Sequence, residues 1–206
     1  MMKSKTTTTK LTFSGHESFQ CRQLWLKKGY DFIAAENSFN SEDAVVELGV
    51  GKNMVASIRF WMKAFNLLTT DDKLTSFAHK LLSDDGWDPY LEDEASLWLL
   101  HYQLVKNNFA STYSIVFNEL RRERIEFTKD NFISFVKRKS ESERNSQINE
   151  KTISEDFSVM MKMYLRSDLQ LKDKEESFSG LLTDLNLIKS FSKGKDEFLI
   201  IENSER

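Results

Sequence analysis

The 206 residues include one cysteine, one proline, seven glycines and three histidines, and each scarcity removes a class of protein. A lone Cys21 can form neither an internal disulfide nor a cysteine-based zinc site within one chain, so nothing suggests an oxidising compartment. No apolar run approaches the roughly 20 residues of a membrane-spanning helix, and the start, MMKSKTTTTK, lacks the apolar centre of a signal peptide. The sequence therefore reads as cytoplasmic, with no membrane partner. It has no phosphate-binding glycine loop, no G-x-S-x-G elbow, no paired histidines at metal spacing and no cysteine motif. Most catalytic families are excluded, and the chain reads as a non-enzyme with no catalytic residue, metal ligand or cofactor assigned. A nuclease built from scattered carboxylates survives this test.

What remains is ordinary globular composition, 40% hydrophobic and 30% charged, in a chain long enough to bury a core as one domain or two lobes. A net charge of −3 argues against indiscriminate binding to nucleic acid, but it averages over a gradient. Residues 1–64 carry nine Lys or Arg against six Asp or Glu, whereas residues 71–98 carry two Lys against eight acids. A DNA surface is expected on the first part.

That part contains NSEDAVVELGVGKNMVASIRFWMKAFNLL at 40–68, which has the spacing of a helix-turn-helix. Asn40 or Ser41 can cap a first helix whose opening turn holds Glu42 and Asp43, and Ala44, Val45 and Leu48 form its buried face. Gly49 falls where a tight turn needs positive φ, and Val50 can plug the corner. A second helix from about Lys52 packs through Met54, Val55, Ile58, Trp61, Met62 and Phe65. Gly51, Lys52, Asn53, Ala56, Ser57 and Phe60 are then expected outward. On a helix in a major groove, Lys52, Asn53 and Ser57 would face bases, and Arg59 and Lys63 could reach phosphates. Phe60 suits an apolar protein partner instead.

Met1 to Lys10 reads as a mobile basic arm. In LTFSGHESFQCRQLWLKKGY at 11–30, Ser14 and Glu17 form an S-x-x-E capping box and Gly29 marks an exit, which predicts a helix followed by a connection over Asp31 to Phe39. His16 and Glu17 are adjacent, not four apart, and read as a hydrogen-bonded histidine beside a capping residue. Leu74 to Leu82 reads as strand or short helix, where a wing could begin. The segment DDGWDPYLEDE at 84–94 reads as a rigid turn entering a helix that starts at Glu92, Asp93 and Glu94. Its acids could alternatively share a divalent ion through Asp84, Asp85 and Asp88 with Glu92 or Asp93, although the spacing fits no calcium loop. Ala95 to Val105 is apolar nearly all round, as a central helix should be, and makes His101 a core histidine.

Helices are expected at Ser111 to Asn118, at Thr128 to Lys139 with Thr128 as cap, and at Thr152 to Tyr164. The stretch 140–151 reads as a linker. Arg121, Arg122, Arg124, Lys137, Arg138 and Lys139 are interleaved with acids and read as a solvated face. The end suggests a helix closing near Leu187, a strand from Leu187 to Phe191, a turn at Gly194 and a strand from Glu197 to Ile201. The fold class is mainly α with small β-hairpins. A winged helix-turn-helix N-terminal lobe (1–106) precedes a helical C-terminal lobe (107–206), which carries a second winged-helix-like unit.

Three stretches, FSGHESFQCRQLWLKKGYDF at 13–32, DAVVELGVGKNMVASIRFWMKAFNLL at 43–68 and DGWDPYLEDEASLWLLHYQL at 85–104, resemble the bacterial domain-of-unknown-function family numbered four thousand and seven. The resemblance implies a place in mobile defence or DNA-modification loci, particularly those that put sulfur into the DNA backbone, and it brings no catalytic residues. The function expected is a DNA-binding winged helix-turn-helix protein, acting on double-stranded DNA as regulator or targeting subunit of such a system. The alternatives are a protein adaptor holding other subunits of that system and, third, a metal-dependent nuclease.

Overall fold

The computed structural model describes residues 11–142, 148–165, 180–194 and 196–201. The basic arm and most of the central stretch of the expected linker lie outside them. The first helix, α1, spans Trp25–Ala34, so the helix predicted from Ser14 to Gly29 is displaced towards the C-terminus. Ser14 cannot serve as its cap, because its backbone is left-handed (φ 71) and its N–H is given to the Asp156 carboxylate 142 positions away. Gly29 sits inside the helix and not at its exit. Its missing side chain admits Ile58 and Met62, whose nearest carbons would lie 3.0 Å from a Cβ there, so glycine sets how closely the two helices approach.

Helices α2 (Ala44–Leu48) and α3 (Lys52–Ala64) follow. Gly49 ends α2 in the left-handed conformation (φ 62), as the sequence requires. Ser41 Oγ accepts from the Asp43 N–H at 3.2 Å just before α2. After α3 a tight hairpin-like turn places Leu68 against Leu74 in a single bridge, and α4 (Ser76–Leu82) is a helix capped by Thr75. The acidic turn leads into α5 (Glu94–Asn107), whose N-cap is Asp93.

In the second half α6 (Ser111–Ser114) widens into a π-helical stretch, Ile115–Leu120, and closes as α7 (Arg121–Glu123). The expected helix is therefore longer than the sequence pattern indicated. Strand β1 (Glu126–Phe127) precedes α8 (Lys129–Ser142), where Thr128 and Asn131 exchange backbone-to-side-chain hydrogen bonds in a reciprocal cap. Helix α9 (Glu150–Tyr164) carries a buried stripe of Ile153, Asp156, Phe157, Met160 and Met163. A 3₁₀ turn at Thr183–Leu185 replaces the expected helix before β2 (Ile188–Lys193) and β3 (Asp196–Ile201). These strands form an antiparallel sheet in the order β1-β3-β2, with Gly194 turning the hairpin at φ 67.

The fold is mainly helical with a small antiparallel sheet. One contiguous hydrophobic cluster runs from Cys21 to Ile201. Hydrogen bonds cross it from the first half to the second: Thr12 N–H to Ser111 Oγ, Leu181 N–H to the Cys21 carbonyl, and the Tyr164 hydroxyl with His101 Nδ1.

Candidate nucleic-acid interface

Helix α3 runs through the middle of the first half, and its burial decides what the corner of α2, Gly49 and α3 can present. Lys52 and Asn53 are exposed on its opening turn, and Ala56 is exposed one turn later. Ser57 and Phe60, expected outward, are buried at 0% and 8%. This corrects the sequence assignment, and for Phe60 the cause is the segment 11–24. That segment runs over α3 as irregular chain: a Cβ on Gly15 would lie 2.8 Å from Phe60 Cδ2, and the His16 ring stands 5.6 Å from the Phe60 ring. Phe109 covers the same ring at 5.3 Å. Amphipathic spacing identifies one buried face of a helix and gives no warning when a loop covers a second.

Arg59 and Lys63 are occupied. Arg59 Nε donates to Asp72 Oδ1 at 3.0 Å, its Nη2 pairs with Asp72 Oδ2, and its Nη1 donates to Asn40 Oδ1 at 3.0 Å. Lys63 Nζ lies 2.9 Å from Asp72 Oδ1 and 2.9 Å from the Thr70 carbonyl oxygen. Burial alone would raise the Asp72 carboxyl, but hydrogen bonds and charge from Arg59 and Lys63 outweigh it and hold the group below the usual carboxylate range. The two cations thus tie the turn after α3 to the helix. Just before and on α2, Glu42, Asp43 and Glu47 face solvent with Val46, which is 77% exposed. The five residues expected to face nucleic acid therefore divide into an exposed pair at the start of α3, a clamped pair on its flank and one buried serine.

Other candidates resolve into structure. His16 Nδ1 accepts from the Ser18 N–H at 3.2 Å, which leaves Nε2 to donate to Asp156 Oδ1 at 3.1 Å. Both side chains are buried, the His16 ring stacked on Trp61, so this pair fastens the N-terminal segment to α9 and does not face substrate. Asp156 was missed in the sequence, although its place on the apolar stripe of α9 was a legible signal: a carboxylate at a core position needs partners. Burial pushes the Cys21 thiol well above its ordinary value, away from nucleophile chemistry. In the acidic turn, Asp84 pairs with Lys27 Nζ at 2.7 Å, Asp85 accepts from Ser83 Oγ, and Asp88 accepts from the N–H groups of Glu92 and Asp93. Among the described residues, no three His, Cys, Asp or Glu side chains converge as a metal-ligand set. The basic residues near α7 and α8 are interleaved with acids, as in Arg138 with Glu123 and Lys139 with Glu119.

A family described as "Protein of unknown function (DUF4007)" matches residues 13–205. No curated protein matches. Two solved structures are similar over nearly the whole chain. "Magnesium ion-bound SspB crystal structure" has a TM-score of 0.81 and 29% identity, covering 95% of this chain and 61% of that one. "SspB crystal structure" has a TM-score of 0.79 and 30% identity, covering 94% and 60%. The chain thus spans about three fifths of the length of these SspB chains.

Proposed function

The chain belongs to the DUF4007 family, and we propose that it is a non-catalytic, DNA-contacting subunit of a bacterial DNA-modification or defence system, acting in targeting or regulation. The reading is carried by the corner made of α2, Gly49 and α3. It leaves the first turn of α3 exposed with Lys52 and Asn53 on it, where the positive end of the helix dipole and a cation can meet phosphate. In this reading the wing is the 67–75 turn, held to α3 through Asp72, and the lobes divide near residue 106. The setting in loci that put sulfur into the DNA backbone rests on the family resemblance. Magnesium is named for one SspB structure; in this chain Asp84, Asp85 and Asp88 are each engaged by internal partners.

The test is fluorescence anisotropy with plain and phosphorothioated duplexes across a salt series. Binding should weaken with salt at a logarithmic slope of roughly −0.9 per phosphate contacted, and Lys52→Glu should abolish it. No binding to either duplex at low salt refutes the proposal.

A second reading, a protein adaptor, is favoured by Val46 standing exposed on α2 among Glu47 and the preceding Glu42 and Asp43. Phe60, buried, no longer serves it. Co-purification of neighbouring gene products that is lost in Val46→Glu but kept in Lys52→Glu would select the adaptor.

A further inference from the structure

The turn between α4 and α5 holds two aromatic side chains in solvent, Trp87 at 65% and Tyr90 at 56% exposure. Isolated exposed apolar residues are ordinary, but two large aromatic rings three positions apart on a braced turn are not. The bracing comes from the backbone. The Trp87 N–H donates to the Lys80 carbonyl at 2.8 Å and the Asp88 N–H to that of Leu81 at 3.1 Å, while Asp88 caps the N–H groups of Glu92 and Asp93. Leu91 is buried and anchors the far side. A Cβ on Gly86 would meet three carbonyl oxygens within 3.0 Å, so the chain is closely folded there. The aromatic rings are thus displayed from a fixed support, which lowers the conformational entropy lost when something binds them.

The charge around the rings states what binds. Asp85, Glu92, Asp93 and Glu94 are exposed, and the Asp84 side chain is 92% exposed even while paired with Lys27. Phosphate and anionic surfaces are repelled by this edge. A cation is attracted, and the fold contains an internal precedent: Lys27 Nζ sits 6.0 Å from the Tyr90 ring centroid while bonded to Asp31 and Asp84. A cation set between the Asp84 carboxylate and the Tyr90 ring is thus already present at this turn, shared with Asp31 and with the nearer Tyr30 ring of α1 at 5.5 Å.

We propose that the 84–94 turn is a docking surface for an arginine-bearing segment of a partner protein, with a guanidinium seated on Trp87 and bonded by the neighbouring carboxylates. Arginine is specified over lysine because its planar, weakly hydrated fork both stacks on indole and bonds carboxylates in pairs. The surface is separate from α3, so this inference does not rest on the DNA reading. Different variants report on each.

The experiment uses the whole chain with a labelled synthetic twelve-residue peptide alternating arginine and leucine, read by anisotropy, with lysine-leucine and glutamate-leucine peptides beside it. Trp87 is the most exposed of the tryptophans, since Trp25 and Trp61 are buried and Trp98 half-buried, so its fluorescence reports contact directly. The arginine peptide should bind and alter that emission, the lysine peptide should bind at least threefold more weakly and the glutamate peptide not at all. Trp87→Ala should weaken the arginine peptide about tenfold without changing the circular dichroism melt, and Lys52→Glu should leave it unchanged. Absence of binding overturns the proposal. So does equal binding of the arginine and lysine peptides that Trp87→Ala does not affect, which is bulk charge attraction. Self-association in sedimentation that Trp87→Ala removes also overturns it, since the occupant is then a second copy.

Discussion

Replacing Asp156 by alanine tests the link that joins the segment around Ser14 and His16 to α9. Its carboxylate accepts from the Ser14 N–H at 2.9 and 3.1 Å, from His16 Nε2 at 3.1 Å and from the Thr112 hydroxyl at 3.4 Å, and the residue is 5% exposed. An unsatisfied buried donor costs about 1–3 kcal/mol, and Asp156→Ala strands the Ser14 N–H, the His16 Nε2–H and the Thr112 hydroxyl, so the loss should total about 3–5 kcal/mol with partial relaxation. Against a total stability on the order of 5–15 kcal/mol this is a large fraction. For a chain of this size each kcal/mol moves the melting point by roughly 2–4 °C, so Asp156→Ala should lower Tm by about 6–20 °C in calorimetry. Asp156→Asn should cost less: one amide oxygen can still serve Ser14 and His16 while its NH₂ faces the Thr112 hydroxyl. His16→Ala should fall near Asp156→Ala, and the double variant should be less harmful than the sum by about 1–3 kcal/mol, as groups in one network behave. A melting point within 1 °C of wild type for Asp156→Ala, or strict additivity with His16→Ala, refutes the account.

Further predictions rest on other named contacts. Asp72→Asn should loosen Arg59 and Lys63, and if α3 contacts DNA the salt-dependence slope should steepen by as much as roughly 1.8, the value for two added phosphate contacts. An unchanged slope would mean that neither cation reaches the duplex. Burial pulls the His101 imidazole from 6.5 down to about 4, with Nδ1 2.8 Å from the Tyr164 hydroxyl. The folded state keeps this ring neutral while the unfolded chain binds a proton, so stability is full above pH 6.5 and falls between 6.5 and about 4, by about 3 kcal/mol in the limit. Denaturant titrations should show that decline, and His101→Phe should flatten it. A Cβ on Gly180 would lie 2.2 Å from the Lys162 carbonyl oxygen and 2.5 Å from Met163 Cα. Gly180→Ala should therefore destabilise by about 1–3 kcal/mol, since two backbones must part; an unchanged urea midpoint would show that they do not meet.

Local chemistry alone determined much of this protein. The Gly49 corner, the helices behind Asp93 and Thr128 caps and the Gly194 hairpin each follow from a residue whose conformational or capping preference acts over a few neighbours; α5, expected apolar nearly all round, instead leaves Leu99 and Tyr102 exposed and His101 half-buried. The mainly helical class was legible on the same terms, whereas the family was legible from the resemblance of three long stretches, 13–32, 43–68 and 85–104. Contacts distant in sequence decided the rest. Ser14 and Glu17 spell a cap, but a bond from Ser14 to a carboxylate 142 residues away wins over a local helix start. Gly29 reads as a terminus by composition and became a contact point because Ile58 and Met62 come to it. Spacing left Ser57 and Phe60 outward, whereas the loop that buries Phe60 declares no periodicity of its own. Arg59 and Lys63 read as free cations until Asp72 folds back between them. A sequence states what each residue prefers among its neighbours; which preferences survive depends on the tertiary partners that compete for the same hydrogen bonds, charges and surface.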